Sequence, residues 1–480
     1  MIKYLILIFC ALLTFHANNV RAQDSALFSS EFIDKKELSD STLSYSKWRL
    51  TLLNSIGTNG NKAQEFTARY SINFIGGVHG GLDGREFGLL YNIQTNYVRG
   101  FQIAGIGNIS LGEMTGLNIA GLSNYSKESM EGIQLSGLAN ISEDNITGMQ
   151  LSAGLNISAG VLSGMHIAGL ANLSQDDLSG FNLAGVLNIT NEDIEGLNLA
   201  GIANISNDDI DGLSVAGIAN ISAEDQSGLI VSGVSNISGD LMEGLIISSG
   251  INLAREIEGL SISAGATLAN EFTGLSVSPI NIQKKITGLH VGFLNIGEEI
   301  EGASIGLISW YGNGRKNVDI RYSDGGFLDM GFTTGTHRLY NQVSVGFVPQ
   351  ESDVLKLGGS LGLVFDMRDR FSGVLKDNWT VTHELSLYQY MKDKWNRQNT
   401  KQLTYRYLIS SMINNQFSIY AGPSINILKE GSVDDLIWYD IWSPSIKDND
   451  YRVWVGFNVG FRLFKQETVD RLEFPLERNF

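Results

Sequence analysis

Ten glycines in the middle of the chain stand sixteen residues apart, and this period limits what the chain can fold into. They are Gly100, Gly116, Gly132, Gly148, Gly164, Gly180, Gly196, Gly212, Gly228 and Gly244. The spacing shortens to fifteen at Gly259 and Gly274 and to fourteen at Gly288 and Gly302, which makes thirteen units close to Gly-Leu-x-Leu-Ala-Gly-Ile-x-Asn-Ile-Ser. A fixed short period is the signature of a repeat architecture, in which each unit stacks on the next.

One unit, residues 196–211, illustrates the local pattern. Leu197 and Leu199 flank Asn198, which is the alternation of a half-buried strand. Ala200-Gly201 shifts the phase of this alternation, and Asn207-Asp208-Asp209 has the composition of a turn. The unit therefore predicts two short strands joined by a corner and closed by an acidic turn.

Two all-β architectures fit this unit. In a parallel β-solenoid each unit is one coil, whereas in an antiparallel β-barrel each unit is one strand of about ten residues that crosses a bilayer. The repeats hold five of the chain's 45 aromatic residues and no tryptophan, although a barrel wall carries aromatic girdles at both membrane interfaces. We therefore expect a parallel β-solenoid of 14–16-residue repeats over residues 100–302. One large antiparallel barrel that includes the repeats is the alternative.

Asparagine keeps the same sixteen-residue step as glycine. The ten positions are Asn108, Asn124, Asn140, Asn156, Asn172, Asn188, Asn204, Asn220, Asn236 and Asn252. Nine of them form Asn-x-Ser/Thr, which matches a glycosylation acceptor. In a solenoid, however, identical amides stacked in register bond to one another, as they do in cross-β stacks. The period therefore predicts a structural asparagine ladder.

The start of the chain has the pattern of an exported protein. Residues 1–22 combine a positive start, an apolar core and a small-residue end, which is typical of a secretory signal peptide. The only cysteine, Cys10, lies in that apolar core, so the mature chain is expected to contain no disulfide. Residues 23–45 are polar and mixed in charge, which indicates a leader or linker.

The segments on either side of the repeats have strand patterns of their own. Residues 46–99 contain β-strands, and residues 303–465 contain long alternating strands followed by a tail at 466–480. In the clearest of these strands, Tyr451 to Phe464, one face is apolar and the other is polar or glycine. Strands of this length and pattern are typical of an outer-membrane barrel wall. We expect both flanks to contribute to an antiparallel barrel of that type, and a soluble antiparallel sandwich with one buried face is the alternative.

Two resemblances follow from these motifs. The tandem Gly-Leu-x-x-x-Gly-Leu-x-Asn units resemble those of a family of bacterial surface-repeat proteins, over about two hundred residues. The flanks resemble outer-membrane β-barrels, through their alternation and through Phe480, because such barrels commonly end in phenylalanine. The resemblances imply an exported protein at the surface of a Gram-negative envelope, and neither implies an enzyme.

The net charge of −17 is concentrated in the repeats. Between Gly100 and Gly302 there are 23 acidic and four basic residues, and the acids cluster in turns such as Asp208-Asp209. An acidic edge repels phosphates, which argues against a nucleic-acid partner. Stacked carboxylates are potential calcium ligands, but the turns have no calcium-binding spacing. A solvated edge that repels its neighbours is the simpler interpretation.

No motif in the chain predicts catalysis or a cofactor. Two Gly-x-Ser-x-Gly matches, around Ser304 and Ser360, lie in alternating strands and not in the strand-turn-helix that a nucleophile elbow needs. The histidines lack metal-ligand spacing, and His166 and His290 occupy a polar position of the repeat that we expect at the surface. We therefore predict no catalytic, cofactor-binding or metal-binding residues.

The same polar position of the repeat supplies the candidate binding surface. It is occupied by Asn118, Gln134, Gln150, Asn182 and Asn198, among others. We expect a barrel that contacts the outer-membrane lipid bilayer and a solenoid that displays these side chains to a polysaccharide or a surface protein. Two other functions stay open: a transport pore, if the repeats join the barrel wall, and a carbohydrate-active β-helix enzyme, which would need carboxylates on a sheet face.

Overall fold

A computed structural model describes most of the chain between residues 43 and 463. The described residues are 43–54, 56–323, 326–349, 351–367, 379–392, 396–414, 416–429, 442–448 and 451–463. The predicted signal peptide, most of the predicted leader, and the tail with Phe480 lie outside them. The chain divides into two compact units, Met1–Gly259 and Leu260–Phe480.

The described part of the first unit is built almost entirely from β-strands. They are β1 (Ser44–Leu53), β2 (Ile56–Gly57), β3 (Phe66–Gly88), β4 (Tyr91–Ala104), β5 (Gly107–Ser110), β6 (Met114–Ala120), β7 (Ser123–Ser126), β8 (Met130–Ser136), β9 (Ala139–Ser142), β10 (Ile146–Ser152), β11 (Leu155–Ser158), β12 (Leu162–Ala168), β13 (Ala171–Ser174), β14 (Leu178–Ala184), β15 (Leu187–Ile189), β16 (Ile194–Ala200), β17 (Ala203–Ile205), β18 (Ile210–Ala216), β19 (Ala219–Ile221), β20 (Gln226–Ser232), β21 (Ser235–Ile237), β22 (Leu241–Ser248), β23 (Ile251–Leu253) and β24 (Glu256–Ser263), which ends in the second unit. A short 3-10 helix spans Gly60–Glu65. No helix in the described part of the chain is long and apolar enough to cross a membrane.

Successive coils pair in parallel, with each residue beside its equivalent in the next unit. Gly196 lies between Gly180 and Gly212 in the long strands, and Asn204 lies between its equivalents in the short strands. The predicted parallel β-solenoid is therefore confirmed, with about 15 turns in all. The alternative of one large antiparallel barrel is wrong, because an antiparallel wall would reverse the direction of every second unit.

The solenoid begins before residue 100, which corrects the expectation for the N-terminal flank. β3 pairs with β4 in parallel and places Gly84 beside Gly100. β1 pairs with β3 in parallel as well, so residues 46–99 do not supply antiparallel barrel strands. The sixteen-residue step had already begun at Gly84 and Asn92, but other glycines around Gly80 obscured it.

The second unit starts with further parallel coils and then changes to antiparallel strands. The coils contain β25 (Ala266–Val277), β26 (Ile280–Val291), β27 (Leu294–Gly297), β28 (Glu299–Ile305) and β29 (Ile308–Tyr311). The antiparallel strands are β30 (Arg315–Ser323), β31 (Leu328–Gly335), β32 (Leu339–Val348), β33 (Glu351–Asp366), β34 (Trp379–Lys392), β35 (Asn396–Asn414), β36 (Phe417–Lys429), β37 (Trp442–Asp448) and β38 (Tyr451–Leu463).

Eight of these antiparallel strands close into a barrel. They pair in the order β30 to β36 and then β38, and β38 pairs back onto β30, for example at Ile320 and Phe461. β37 pairs only with β38 among the described strands. The predicted antiparallel barrel is confirmed for the C-terminal flank, although it begins at Arg315, because residues 303–311 still form parallel coils.

The glycine at the start of each unit is required by the backbone geometry. Gly196 has φ +94°, and an added Cβ would lie 2.4 Å from the carbonyl oxygen of Gly180 in the preceding coil. Every periodic glycine from Gly100 to Gly302 has a positive φ. A side chain at this corner would therefore be strained by the dihedral angle and would also push two coils apart.

We predict that Gly196→Ala destabilises the protein by roughly 3 kcal/mol or more, since dihedral strain and a steric clash add together. Gly60→Ala is the control, because Gly60 has φ +54° and open space around its Cβ position. This control should lose only the strain of a left-handed residue, about 1 kcal/mol. Urea unfolding followed by circular dichroism measures both values, and equal losses would contradict the role of close coil stacking.

Candidate functional site

The interior of the solenoid is largely polar, which reverses the expected orientation of the repeat. In β16 the side chain of Asn198 is buried, whereas Leu197 and Leu199 are half-buried on the outer face. The same holds for Asn118, Gln134, Gln150 and Asn182, which are fully buried. The expectation that these five amides form a contact surface is therefore wrong. Alternation showed that the two strand faces differ, but not which face is inside.

The periodic asparagines form a continuous ladder inside the first unit. The Nδ2 atom of Asn188 donates to Oδ1 of Asn204 at 2.9 Å, and Asn204 donates in turn to Asn220 at 2.9 Å. The ladder extends from Asn92 to Asn252, with a bond at every step of sixteen residues. From Asn92 to Asn236 each amide also donates to a backbone carbonyl, such as that of Val215 for Asn204 (3.3 Å). The side-chain nitrogen of each of these asparagines therefore has both an amide and a backbone acceptor.

The serine of the Asn-x-Ser pattern has a structural role of its own. The hydroxyl of Ser158 donates to the carbonyl oxygen of Asp144 in the preceding turn at 2.7 Å, and Ser142 does the same to Glu128 at 2.7 Å. Both the asparagine and the serine of these tripeptides are buried. The pattern is therefore explained by turn-to-turn hydrogen bonds and not by glycosylation, which needs an accessible acceptor.

The position predicted to bind a ligand forms a second, less regular inner column. Asn182 donates to Asn198 at 2.8 Å, whereas the amides of Asn118 and Gln150 have no hydrogen-bond partner in the described part of the chain. His166 and His290 belong to this column and are buried, so the expectation that they are surface substitutions is wrong. Burial lowers the pKa of His166 to about 4 and that of His290 to about 4. Both rings are therefore neutral at pH 7.

The acidic turns are tied together by their own carboxylates. The backbone amide of Asp209 donates to Oδ1 of Asp193 at 3.0 Å, and the amide of Asp225 donates to Oδ1 of Asp209 at 2.8 Å. Partial burial, together with the neighbouring carboxylates of Asp193 and Asp225, raises the pKa of Asp209. These hydrogen bonds hold the turns together, but they also keep like charges close to one another, which is unfavourable. Among the described residues, no group of three or more His, Cys, Asp or Glu side chains is arranged to hold a metal ion.

A buried charged cluster occupies the first coils, and no period or alternation in the sequence points to it. Arg49 on β1 forms an ion pair with Glu86 on β3 at 3.0 Å, and Glu86 also accepts hydrogen bonds from Gln94 and Gln102, both at 2.7 Å. Burial alone would raise the pKa of Glu86, but the charge of Arg49 lowers it. Burial and Arg49 lower the pKa of the adjacent His79 to about 3. The cluster joins β1 to the coils that follow it.

The barrel interior is filled by a second set of ion pairs. Glu384 lies between Arg321 and Arg406, each 2.8 Å from its Oε1 atom. Asp319 pairs with Arg462 at 2.9 Å, and the Nζ atom of Lys356 lies 2.8 Å from a carboxylate oxygen of Asp329. All of these side chains are buried. Side chains just fill the interior of an eight-strand barrel, so these pairs occupy the space that a channel would need.

The two Gly-x-Ser-x-Gly matches do not form nucleophile elbows. Ser304 lies in β28 and shares hydrogen bonds with Ser309 (2.8 Å) and Tyr311 (2.9 Å). Ser360 lies within β33 and accepts a hydrogen bond from Ser386 at 2.7 Å. Both hydroxyls are buried in strands, so neither occupies the strand-turn-helix of that motif.

Comparisons with known proteins add no relative to this description. No protein-family model, no curated protein and no solved structure matches the chain.

We predict that Asn204→Leu destabilises the protein by roughly 2–4 kcal/mol, because it leaves a buried donor on Asn188 and a buried acceptor on Asn220 unpaired. Asn207→Ala, in the half-buried turn of the same coil, is the matched control and should change stability by less than about 0.5 kcal/mol. Urea unfolding of both variants is the measurement. An unchanged midpoint for Asn204→Leu would show that apolar packing replaces the ladder.

We predict that His166 makes the protein less stable in acid. Its pKa is about 4 in the folded chain and about 6.5 when unfolded, so between these values the unfolded chain binds the extra proton. Its contribution is complete above pH 6.5 and is lost as pH falls towards 4, and the stability lost by pH 4.5 is about 2.5 kcal/mol. His166→Asn places in this coil the residue found at Asn182, which is the equivalent position of the next coil.

The variant should therefore match the wild type at pH 7.5 and exceed it in stability at pH 4.5. Urea unfolding of both proteins at the two pH values measures the difference between their unfolding free energies. His79 and His290 are present in both proteins, so their contributions cancel in this difference. Parallel pH profiles for wild type and His166→Asn would contradict the burial of a neutral ring.

Proposed function

We propose that this chain is a non-enzymatic protein of the bacterial outer membrane. The barrel anchors it in the lipid bilayer, and the solenoid has a structural or adhesive role at the cell envelope. The predicted signal peptide and the strand pattern of the C-terminal flank are consistent with this location. The single observation that carries the proposal is the polarity of the barrel.

The distribution of polar and apolar side chains in the barrel is the reverse of that in a protein surrounded by water. Large apolar side chains are exposed on the outer wall of the barrel, where Leu387 and Phe457 are more than half exposed and Val343 and Ile425 project in the same way. The charged side chains described above point inward and are paired. In water, burying charges and exposing apolar surface both make the folded state less stable. A lipid environment around the wall removes that cost, and barrel closure leaves no open sheet edge.

A transport pore receives no support from these contacts. Glu384, Arg321 and Arg406 meet across the barrel interior at hydrogen-bond distance, and the coils that the pore hypothesis placed in the wall are parallel. A carbohydrate-active enzyme is not supported either. The carboxylates of Asp193 and Asp209 lie in turns and accept hydrogen bonds from backbone amides, and that of Glu195, on a strand, is exposed near the first corner of the coil with no basic partner among the described residues. The side of the coil that carries these acids is the surface left for a polysaccharide or protein partner.

We predict that Leu387→Arg impairs barrel insertion, because a charge on the lipid face costs about 2–4 kcal/mol near the bilayer midplane. Thr147→Arg is the control, since Thr147 is exposed on the charged side of a coil in the first unit. The measurements are the fraction of protein retained in washed membranes and the heat-modifiable migration of the folded barrel in detergent gels. Normal assembly of Leu387→Arg, or a wild-type protein that stays dispersed without detergent, would contradict membrane anchoring.

Planar-bilayer recordings separate the anchor from the pore. The wild-type protein should insert without a steady conductance, because the ion pairs occupy the barrel interior. A reproducible single-channel conductance would instead favour the transport pore. The Glu384→Ser variant provides the comparison. It removes the carboxylate that Arg321 and Arg406 share, so both lose their ion-pair partner and any ion leak through the barrel should be larger.

A further inference from the structure

The outer surface of each coil is divided into an aliphatic side and an acidic side. In the coil that starts at Gly196, Leu197 and Leu199 face outward on the long strand and Ile202 is exposed at the following corner. Glu195 is exposed at the other end of the same strand, and Asp209 lies in the turn. The solenoid therefore has one side suited to water and one that is not.

Apolar residues at the corners stack into a ridge along the first unit, which between its two ends lacks a side chain only at Gly154. Its members are Ile106, Leu122, Leu138, Leu170, the half-buried Val186, Ile202, Ile218 and Val234. Leu122 and Leu138 are 50% and 54% exposed, and Ile218 is 47% exposed. The amide of Leu138 donates to the carbonyl oxygen of Leu122 at 2.8 Å, and that of Ile218 donates to Ile202 at 2.8 Å. At Gly154 the amide of Leu170 donates to the glycine carbonyl oxygen at 2.9 Å, so the coils stay hydrogen-bonded there although the corner has no apolar side chain.

The ridge and the two outer columns beside it make a large apolar surface. These columns contain the residues equivalent to Leu197 and Leu199, none of which is charged from Phe101 to Ile247. With coils about 4.8 Å apart and a width of about 15 Å, nine coils cover roughly 600 Å². Monomeric soluble proteins rarely expose apolar patches of this size unless the patch binds something.

The chemistry of this surface matches lipid hydrocarbon better than a protein partner. Protein interfaces concentrate their binding energy in tryptophan, tyrosine and arginine, and the ridge contains none of these. Immersion in hydrocarbon requires that backbone groups be hydrogen-bonded within the protein, and the corner amides meet that condition through the adjacent coil. The acidic turns would remain in water.

In the second unit, the aliphatic side of the coils continues onto the wall of the barrel. Phe293 and Leu307 are exposed on the coils, and the ring of Trp310 on β29 stacks on that of Phe332 on β31, with centroids 6.4 Å apart. Lys316 holds its Nζ atom 4.8 Å from the centre of the Trp310 ring. Tryptophan is enriched at the edge of a bilayer, and lysine also anchors proteins at that depth. Within the second unit, exposed apolar side chains are thus present on both the last coils and the first strands of the barrel.

We propose that the aliphatic ridge and its two flanking columns are seated in the lipid bilayer, so that the solenoid lies partly immersed with its acidic turns in water. This inference rests on the proposed membrane anchoring of the barrel. The hydrocarbon of the membrane then covers this surface. The alternative, which the experiment must distinguish, is that a second copy of the chain covers it.

Site-directed spin labelling of the full chain tests the inference. The sequence has one cysteine, Cys10, so a Cys10→Ala background accepts single labels. The protein is reconstituted in dioleoylphosphatidylcholine vesicles with a label at Ile202→Cys, on the ridge, or at Glu195→Cys, on the acidic side of the same coil. Collision rates with oxygen, which concentrates in hydrocarbon, and with a water-soluble nickel chelate are then compared.

The label at Ile202→Cys should collide more with oxygen than with the nickel chelate, and the order should reverse at Glu195→Cys. Equal nickel accessibility at the two positions overturns the inference. Low collision rates with both reagents at Ile202→Cys, together with dipolar coupling between labels, also overturn it and identify a second copy.

A third label, at Leu387→Cys on the barrel wall, separates failure of this inference from failure of the anchoring proposal. An oxygen-accessible label at Leu387→Cys with a nickel-accessible label at Ile202→Cys leaves the barrel in the membrane and the solenoid in water. Nickel access at Leu387→Cys contradicts membrane anchoring itself.

Discussion

Parallel hydrogen bonding between coils in constant register is the constraint on which the solenoid depends. Because each residue lies beside its equivalent, every inner side chain must be compatible with a copy of itself one strand away. Asparagine meets this demand, since its amide has both a donor and an acceptor for the next asparagine. Glycine meets it at the corner, where a Cβ would strike the carbonyl of the preceding coil. The sixteen-residue period is the sequence consequence of this geometry.

The same register explains how a solenoid can have a polar interior. A buried amide without a partner is costly, but a ladder supplies a partner at every step except the ends. One inner column is aliphatic, from Leu82 through Val98 and on to Ile210. Where Gln226 replaces an aliphatic residue in that column, Ile230 replaces a polar one in the column opposite. The interior therefore keeps its mixed character while the outer columns carry most of the leucine and isoleucine.

Both units enclose buried ion pairs and expose apolar side chains, although they reach this arrangement in different ways. In the barrel, the Arg321–Glu384–Arg406 triad is built from strands far apart in sequence. In the first coils, Arg49 and Glu86 are joined across parallel strands. Buried ion pairs of this kind are costly to break because they leave an isolated charge. They favour one arrangement of the strands over alternatives with similar alternation.

The sequence by itself determined the repeat period, the positions of the stacked asparagines and the alternation of the strands that follow the repeats, and it favoured parallel stacking over one large antiparallel barrel. Tertiary structure decided between these two architectures and placed the start of the antiparallel strands at Arg315. The sequence did not determine that Asn118 and Gln150 point inward, because alternation is symmetric between the two faces of a strand. Only the closing of the coil shows which face is enclosed. The allocation of residues 46–99 to the solenoid, and the pairing of Arg49 with Glu86, were likewise decided by tertiary structure. Such contacts join residues whose spacing belongs to no period, and their partners are fixed only when the strands pair.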